Sequence, residues 1–202
     1  MAHPCWPAAL ATVATLLCPI VGATQTPSAA TDTRAPEFRV QVWGERLPEF
    51  TSRIDGYVEL RGRLQQQLPP VIVTNDTRQI TRGQRSLARA IRAARPGAAQ
   101  GAFFNDATSA ELKRSLAEIM TPQVWAVIMD DNPGSTRTAI DGAYPEGKSF
   151  SSMPGIVLAH LPPLPDDLEF RFLGPHLVLY DLSADTIVDR LPNAIECHHC
   201  DD

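Results

Sequence analysis

Acidic side chains are missing from one stretch of this chain: no Asp or Glu lies between Thr77 and Arg95, where arginines recur. Aromatic residues are scarce, at 6% of 202 residues, which leaves room for only a modest core. The chain has no GxSxG elbow, no HExxH pair and no Walker loop, so the common hydrolase, zinc-protease and nucleotide-binding signatures are excluded. Its GAYPEG stretch lacks the spacing of a GxGxxG loop. Cysteine is confined to Cys5, Cys18, Cys197 and Cys200. Beyond residue 23 no apolar run is long enough to span a bilayer.

What is present begins with an apolar, uncharged run over residues 7–23, PAALATVATLLCPIVGA, followed by the polar TQTPSAATDT. With Val21-Gly22-Ala23 before the cut, the pattern predicts a signal peptide over residues 1–23 and an exported, periplasmic or secreted, product. The n-region MAHPCW carries no Lys or Arg, so the α-amino group supplies its only charge. Pro19 and the short length argue against a spanning anchor, and Leu17 before Cys18 argues against a lipobox. Cleavage would leave Cys197 and Cys200 as the thiols of the mature chain, in an oxidising compartment.

Residues 24–45 read as a polar linker and 46–194 as one domain, with a Cys/His tail over 195–202. Phe50, Ile54, Tyr57, Val58, Leu64 and Leu68 recur at helical spacing, with Glu49/Arg53 and Glu59/Arg63 four apart in the favourable order. A second helix should start at Asn75 or Asp76 and stop before Arg95-Pro96-Gly97. Residues 105–120 suit a third, and Thr121-Pro122 opens a short fourth that ends at DDNPG. Asp141-Gly142 reads as a hairpin turn between two short strands, and one short helix should close at Pro162-Pro163. LEFRFL and HLVLYDL alternate apolar and polar residues, and DTIVDRL does so more loosely, which predicts an antiparallel meander. Helices first and strands second define an α+β fold: three to four amphipathic helices, then a small sheet.

The run LPPLPDDLEFRFLGPHLVLYDLSADTIVDRLPNA, with RAARPGAAQGAFF upstream, resembles a group of uncharacterised exported bacterial proteins. The likeness spans roughly Phe50 to Ala194 and implies an exported α+β domain, with no catalytic residues attached to it.

Two features carry candidate chemistry. Arg78, Arg82, Arg85, Arg89 and Arg92 are spaced four, three, four and three apart, which makes one stripe opposite Ile80, Leu87 and Ile91. Like charges at this spacing repel, so the stripe either meets solvent and acids from elsewhere in the chain or docks an anionic polymer or acidic protein. The halves of the chain are charged oppositely: residues 24–98 hold 12 Arg against 7 acids, and 99–202 hold 6 basic residues against 16 acids. Nucleic acid is a poor fit to an exported acidic chain without interleaved aromatics.

The second feature is the tail Cys197-His198-His199-Cys200. Asp201 stands where a haem attachment sequence needs histidine, and no helix follows to lower a thiol pKa for redox work. Zinc would need ligands from outside the tail, because four consecutive residues do not surround one ion, and His160 and His176 are the histidines available. A local Cys197–Cys200 disulfide is the simpler expectation, with no cofactor. No nucleophile, base and orienting group can be named together. The sequence therefore points to a non-catalytic binding or assembly module of the bacterial envelope. An enzyme using His160 or His176, or a metal-binding accessory protein, are the alternatives. Asp130-Asp131-Asn132 lacks the EF-hand pattern and reads as a helix end, and Asp181, Asp185 and Asp189 read as turn and solvent-face residues.

Overall fold

The computed structural model describes residues 35–70 and 75–196. The expected signal segment, most of the expected linker and the Cys197–Cys200 tail lie outside the described residues. The fold is α+β, and the chain from Arg34 onward forms one compact unit.

Part of the expected linker is helical. Helix α1 (Ala35–Arg46) runs into α2 (Pro48–Gln66) with Leu47 alone between them. Trp43, Leu47, Phe50, Ile54 and Tyr57 are spaced four, three, four and three apart, and all five are buried, so one apolar stripe continues across the break. Proline at the first position of α2 suits a helix start. The next position on the stripe is Arg61, which is also buried. Glu49 and Arg53 pair at 3.4 Å, whereas Glu59/Arg63 is not among the ion pairs of the described residues.

Helix α3 (Thr77–Ala94) begins where Asp76 accepts the backbone N–H of Arg78 at 2.9 Å. Helix α4 (Asp106–Ala117) is capped by Asn105, which accepts from Thr108, and α5 (Pro122–Asp130) by Thr121, which accepts from Val124. These side chains satisfy amide donors that a helix start leaves without partners. A five-residue helix, α6 (Gly155–Ala159), precedes the Pro162-Pro163 pair.

Strands β2 (Leu168–Leu173), β3 (His176–Asp181) and β4 (Thr186–Leu191) form the antiparallel meander that the alternation predicts. Asp141 does not head a hairpin. It has a left-handed backbone (φ 57°), and the two-residue β1 (Gly142–Ala143) pairs with β4, giving the sheet order β1-β4-β3-β2. The local turn signal is real, but the strand partner is distant in sequence.

One face of the sheet meets the helices. Phe50, Phe104 and Phe170 stack with centroids 6.1–6.4 Å apart among aliphatic neighbours from α2, α3 and α4. The other face carries Leu173, Val178, Tyr180 and Ile187 under Tyr144. Between the pairs Leu179–Asp189 and Tyr180–Ile187 the register slips and leaves Val188 without a partner. The extra residue explains the loose alternation of DTIVDRL and turns both Val188 and Asp189 inward. On the outer side of β2, Ser151 Oγ donates to the Phe172 carbonyl and accepts its N–H, while Asn132 bonds both the N–H and the carbonyl of Gly174.

Candidate functional site

Within α3 the apolar residues Leu87 and Ile91 are buried, and the opposite side carries the arginines. Arg78, Arg82, Arg85 and Arg89 are exposed. Arg82 donates to the carbonyl of Arg78 at 3.3 Å and Arg89 to the hydroxyl of Ser86 at 3.0 Å, both within the helix itself. Of the ten described arginines outside the stripe, six (Arg46, Arg53, Arg61, Arg95, Arg114 and Arg171) pair with a carboxylate, while Arg39, Arg63, Arg137 and Arg190 are in no ion pair of the described residues. No stripe arginine is among the ion pairs of the described residues.

The fifth stripe residue has another role. Arg92 donates to the carbonyl of Asp141 through two nitrogens, at 2.8 and 3.3 Å, and so ties α3 to the start of β1. Next to it Arg95 pairs with the Asp141 carboxylate and lies over the rings of Tyr57 and Phe103, 5.4 Å from each centroid. Acids of the C-terminal half thus draw in arginines of the N-terminal half at Arg61 and Arg95, leaving the exposed part of the stripe over residues 78–89.

Beside this face lies a cleft of about 750 Å³ between the end of α2, the first half of α3 and the β3–β4 turn. Leu68, Pro69 and Pro70 form one wall, Ile80, Gly83 and Leu87 the facing one, with Leu182 and Ser183 between them. Gln84 crosses to the turn and donates to the Leu182 carbonyl at 3.1 Å. Arg82 also lines the cleft, so the cleft and the basic face share a residue. Asp167 is present as well, 3.8 Å from Arg61. Ile80, in the cleft, is 41% exposed.

The aspartates correct the reading from alternation. Asp181 and Asp189 are fully buried, and Asp185 is half-buried. Asp189 accepts the backbone N–H groups of Gly101, Phe103, Phe104 and Arg190 at 2.7–2.9 Å, and thereby shapes the loop that enters α4. Asp181 accepts the phenol of Tyr57 at 2.7 Å and the amide of Ala184 at 3.2 Å, with Arg61 3.4 Å away. Burial pushes the Asp181 carboxyl above the usual range against the pull of Tyr57 and Arg61. Burial likewise raises Asp141, opposed by Arg95 and Arg92, and raises the Tyr57 phenol, reinforced by Asp181. These groups form a buried frame behind α3. The available signal was positional: Arg61, Asp181 and Asp189 each occupy an apolar slot of their element.

The described histidines, His160 and His176, are separate from the cleft. His160 Nδ1 meets the Ile156 carbonyl at 2.9 Å, which requires a proton on that nitrogen and leaves a lone pair on Nε2. His176 Nδ1 accepts the N–H of Asn193 at 3.0 Å, so its Nε2 carries the proton. Burial and the nearby Arg190 hold the His176 ring below its usual pKa. Of these two histidines, His160 alone has a ring nitrogen open to a metal without breaking one of these bonds. Among the described residues no three His, Cys, Asp or Glu side chains converge as a metal site. Cys197, His198, His199 and Cys200 lie outside the described residues, so neither the disulfide nor the metal expectation meets a structural test. Asp131 makes a long-range contact: it accepts the amide and hydroxyl of Ser152 at 2.5–2.9 Å, which lowers its pKa. No described helix is long and apolar enough to cross a membrane. No family model, curated protein or solved structure matches the chain.

Proposed function

We propose that this chain is an exported, non-catalytic binding module that docks an anionic polymer of the bacterial envelope through the exposed arginines of α3. The observation that carries this reading is the clustering of exposed, unpaired arginines on one helix face. Arg78, Arg82, Arg85 and Arg89 stand exposed on one face and are in no ion pair of the described residues, whereas the other unpaired arginines, Arg39, Arg63, Arg137 and Arg190, are scattered elsewhere in the fold. Four guanidinium groups held at helical spacing suit a repeating anion, because each can take two oxygens from a carboxylate, sulfate or phosphate. The chain as a whole is acidic, with net charge −5, so retention by a polyanion has to come from a local basic face.

Heparin affinity chromatography at graded salt tests the reading. The chain should be retained at low ionic strength and released as salt screens the contacts. An Arg82→Glu, Arg89→Glu double variant should flow through with an unchanged thermal midpoint. Retention of that variant like the parent sinks the proposal. Flow-through of the parent together with capture on an immobilised acidic protein would replace the polymer with a protein partner.

A further inference from the structure

We propose that the cleft between α2 and α3 binds a single-chain anionic amphiphile, a fatty-acid-like molecule whose chain lies over Ile80 and Leu87 and whose head group meets Arg82. This deepens the reading of the arginine face and rests on it for the head-group contact only. The cleft's volume of about 750 Å³ falls within the range of about 300–1,000 Å³ common to small-ligand sites. About half of its lining is apolar, from Leu68, Pro69, Pro70, Ile80, Leu87 and Leu182, and the rest is polar. Its one cation, Arg82, is in no ion pair of the described residues, a pattern complementary to an apolar chain ending in an anion.

Three details favour an occupant over a merely imperfect fit. Ile80 leaves 41% of its surface open although it projects from a helix otherwise rich in charge. Gly83 lies in the interior of α3, where glycine is a poor helix former, and it adds no side chain to the cleft it lines. The Gln84–Leu182 bond fixes α3 against the β3–β4 turn at that level, so the cleft has a built frame. The acid at the site, Asp167, faces Arg61 at 3.8 Å, which partly offsets its repulsion of an anion and leaves Arg82 as the cation on offer.

Isothermal titration calorimetry on the purified chain with dodecanoate, below its micellar concentration, is the test. Dodecyl maltoside supplies the same chain with a neutral head, and inorganic phosphate supplies an anion without a chain. Saturable one-to-one binding of dodecanoate is expected, with dodecyl maltoside at least tenfold weaker and phosphate silent. Gly83→Met should fill the cleft and weaken dodecanoate at least tenfold while leaving heparin retention intact. Arg82→Gln should bring dodecanoate down to the level of the neutral detergent. If Gly83→Met does not fold, Ile80→Gln reads the same wall. Undiminished dodecanoate binding in a folded Gly83→Met or Ile80→Gln variant, equal binding of the neutral detergent, or no dodecanoate binding by the parent each overturns the proposal. Heparin retention that persists in any of these cases shows that the cleft inference has failed and the basic face has not.

Discussion

The phenol of Tyr57 in α2 donates to the carboxylate of Asp181 at the end of β3, 2.7 Å away across 124 positions of sequence. Both side chains are buried, and Arg61 and Arg95 lie on either side of them. This contact joins α2 of the helical layer to β3 of the sheet.

Tyr57→Phe keeps the ring and removes the donor. Asp181 then loses one buried partner, at a cost of about 1–3 kcal/mol. Urea denaturation should show a lower midpoint with an unchanged slope. A variant as stable as the parent would mean that the surrounding groups satisfy Asp181 unaided.

Burial raises the Asp181 carboxyl in the folded state above its unfolded value. The folded chain therefore holds that proton to higher pH than the unfolded chain. Its contribution favours folding at low pH and declines as pH rises from about 4, the ordinary value for Asp, towards the folded pKa. Asp181→Asn should flatten this fall relative to the parent. Parallel curves of thermal midpoint against pH would refute the assignment.

Asp189→Ala strips the acceptor from four backbone N–H groups at once. With each buried donor costing about 1–3 kcal/mol, a loss of at least about 3 kcal/mol is expected, and Asp189→Asn should recover part of it. Hydrogen exchange at Phe103 and Phe104 should accelerate in the alanine variant. Unchanged protection there would show that the loop holds its shape without the carboxylate.

Two arginines a short distance apart should answer oppositely. Arg95→Met breaks a largely buried pair with Asp141 and should lower stability by about 3–5 kcal/mol. Arg85→Met removes an exposed charge and should leave the thermal midpoint within error while reducing heparin retention. A large stability loss at Arg85 would make the stripe structural.

The parts of the fold that were legible in the sequence are those fixed by local rules. Thr121-Pro122, Asn105 and Asp76 mark helix starts because a cap is a contact between near neighbours. LEFRFL and HLVLYDL show their strands through simple alternation. What escaped depends on partners far along the chain. Asp141-Gly142 looks like a hairpin until β4 is known to be its partner. Asp189 shares the phase of Ile187 and Leu191, but its partners, the amides of the loop entering α4, lie 85–88 residues away. Helix α1 was hidden by the polar sequence around Trp43, although the stripe from Trp43 to Tyr57 was there to be read. The arginine stripe was visible as a pattern. The cleft beside it was not, since α2, α3 and the β3–β4 turn meet only in the folded chain.

Ser151 has a consequence for how copies of this protein meet. The rim of a sheet invites strands from other molecules wherever its amides and carbonyls face outward without partners. At β2 the Ser151 hydroxyl occupies both polar groups of Phe172, and Asn132 does the same for Gly174 just beyond it. Two side chains thus do part of the work of a fifth strand, and they cover the end of the rim nearest the β2–β3 turn. Ser151→Ala would reopen that seam. Concentrated, warmed solutions of the variant should form intermolecular β-structure sooner than the parent, even before the fold itself gives way.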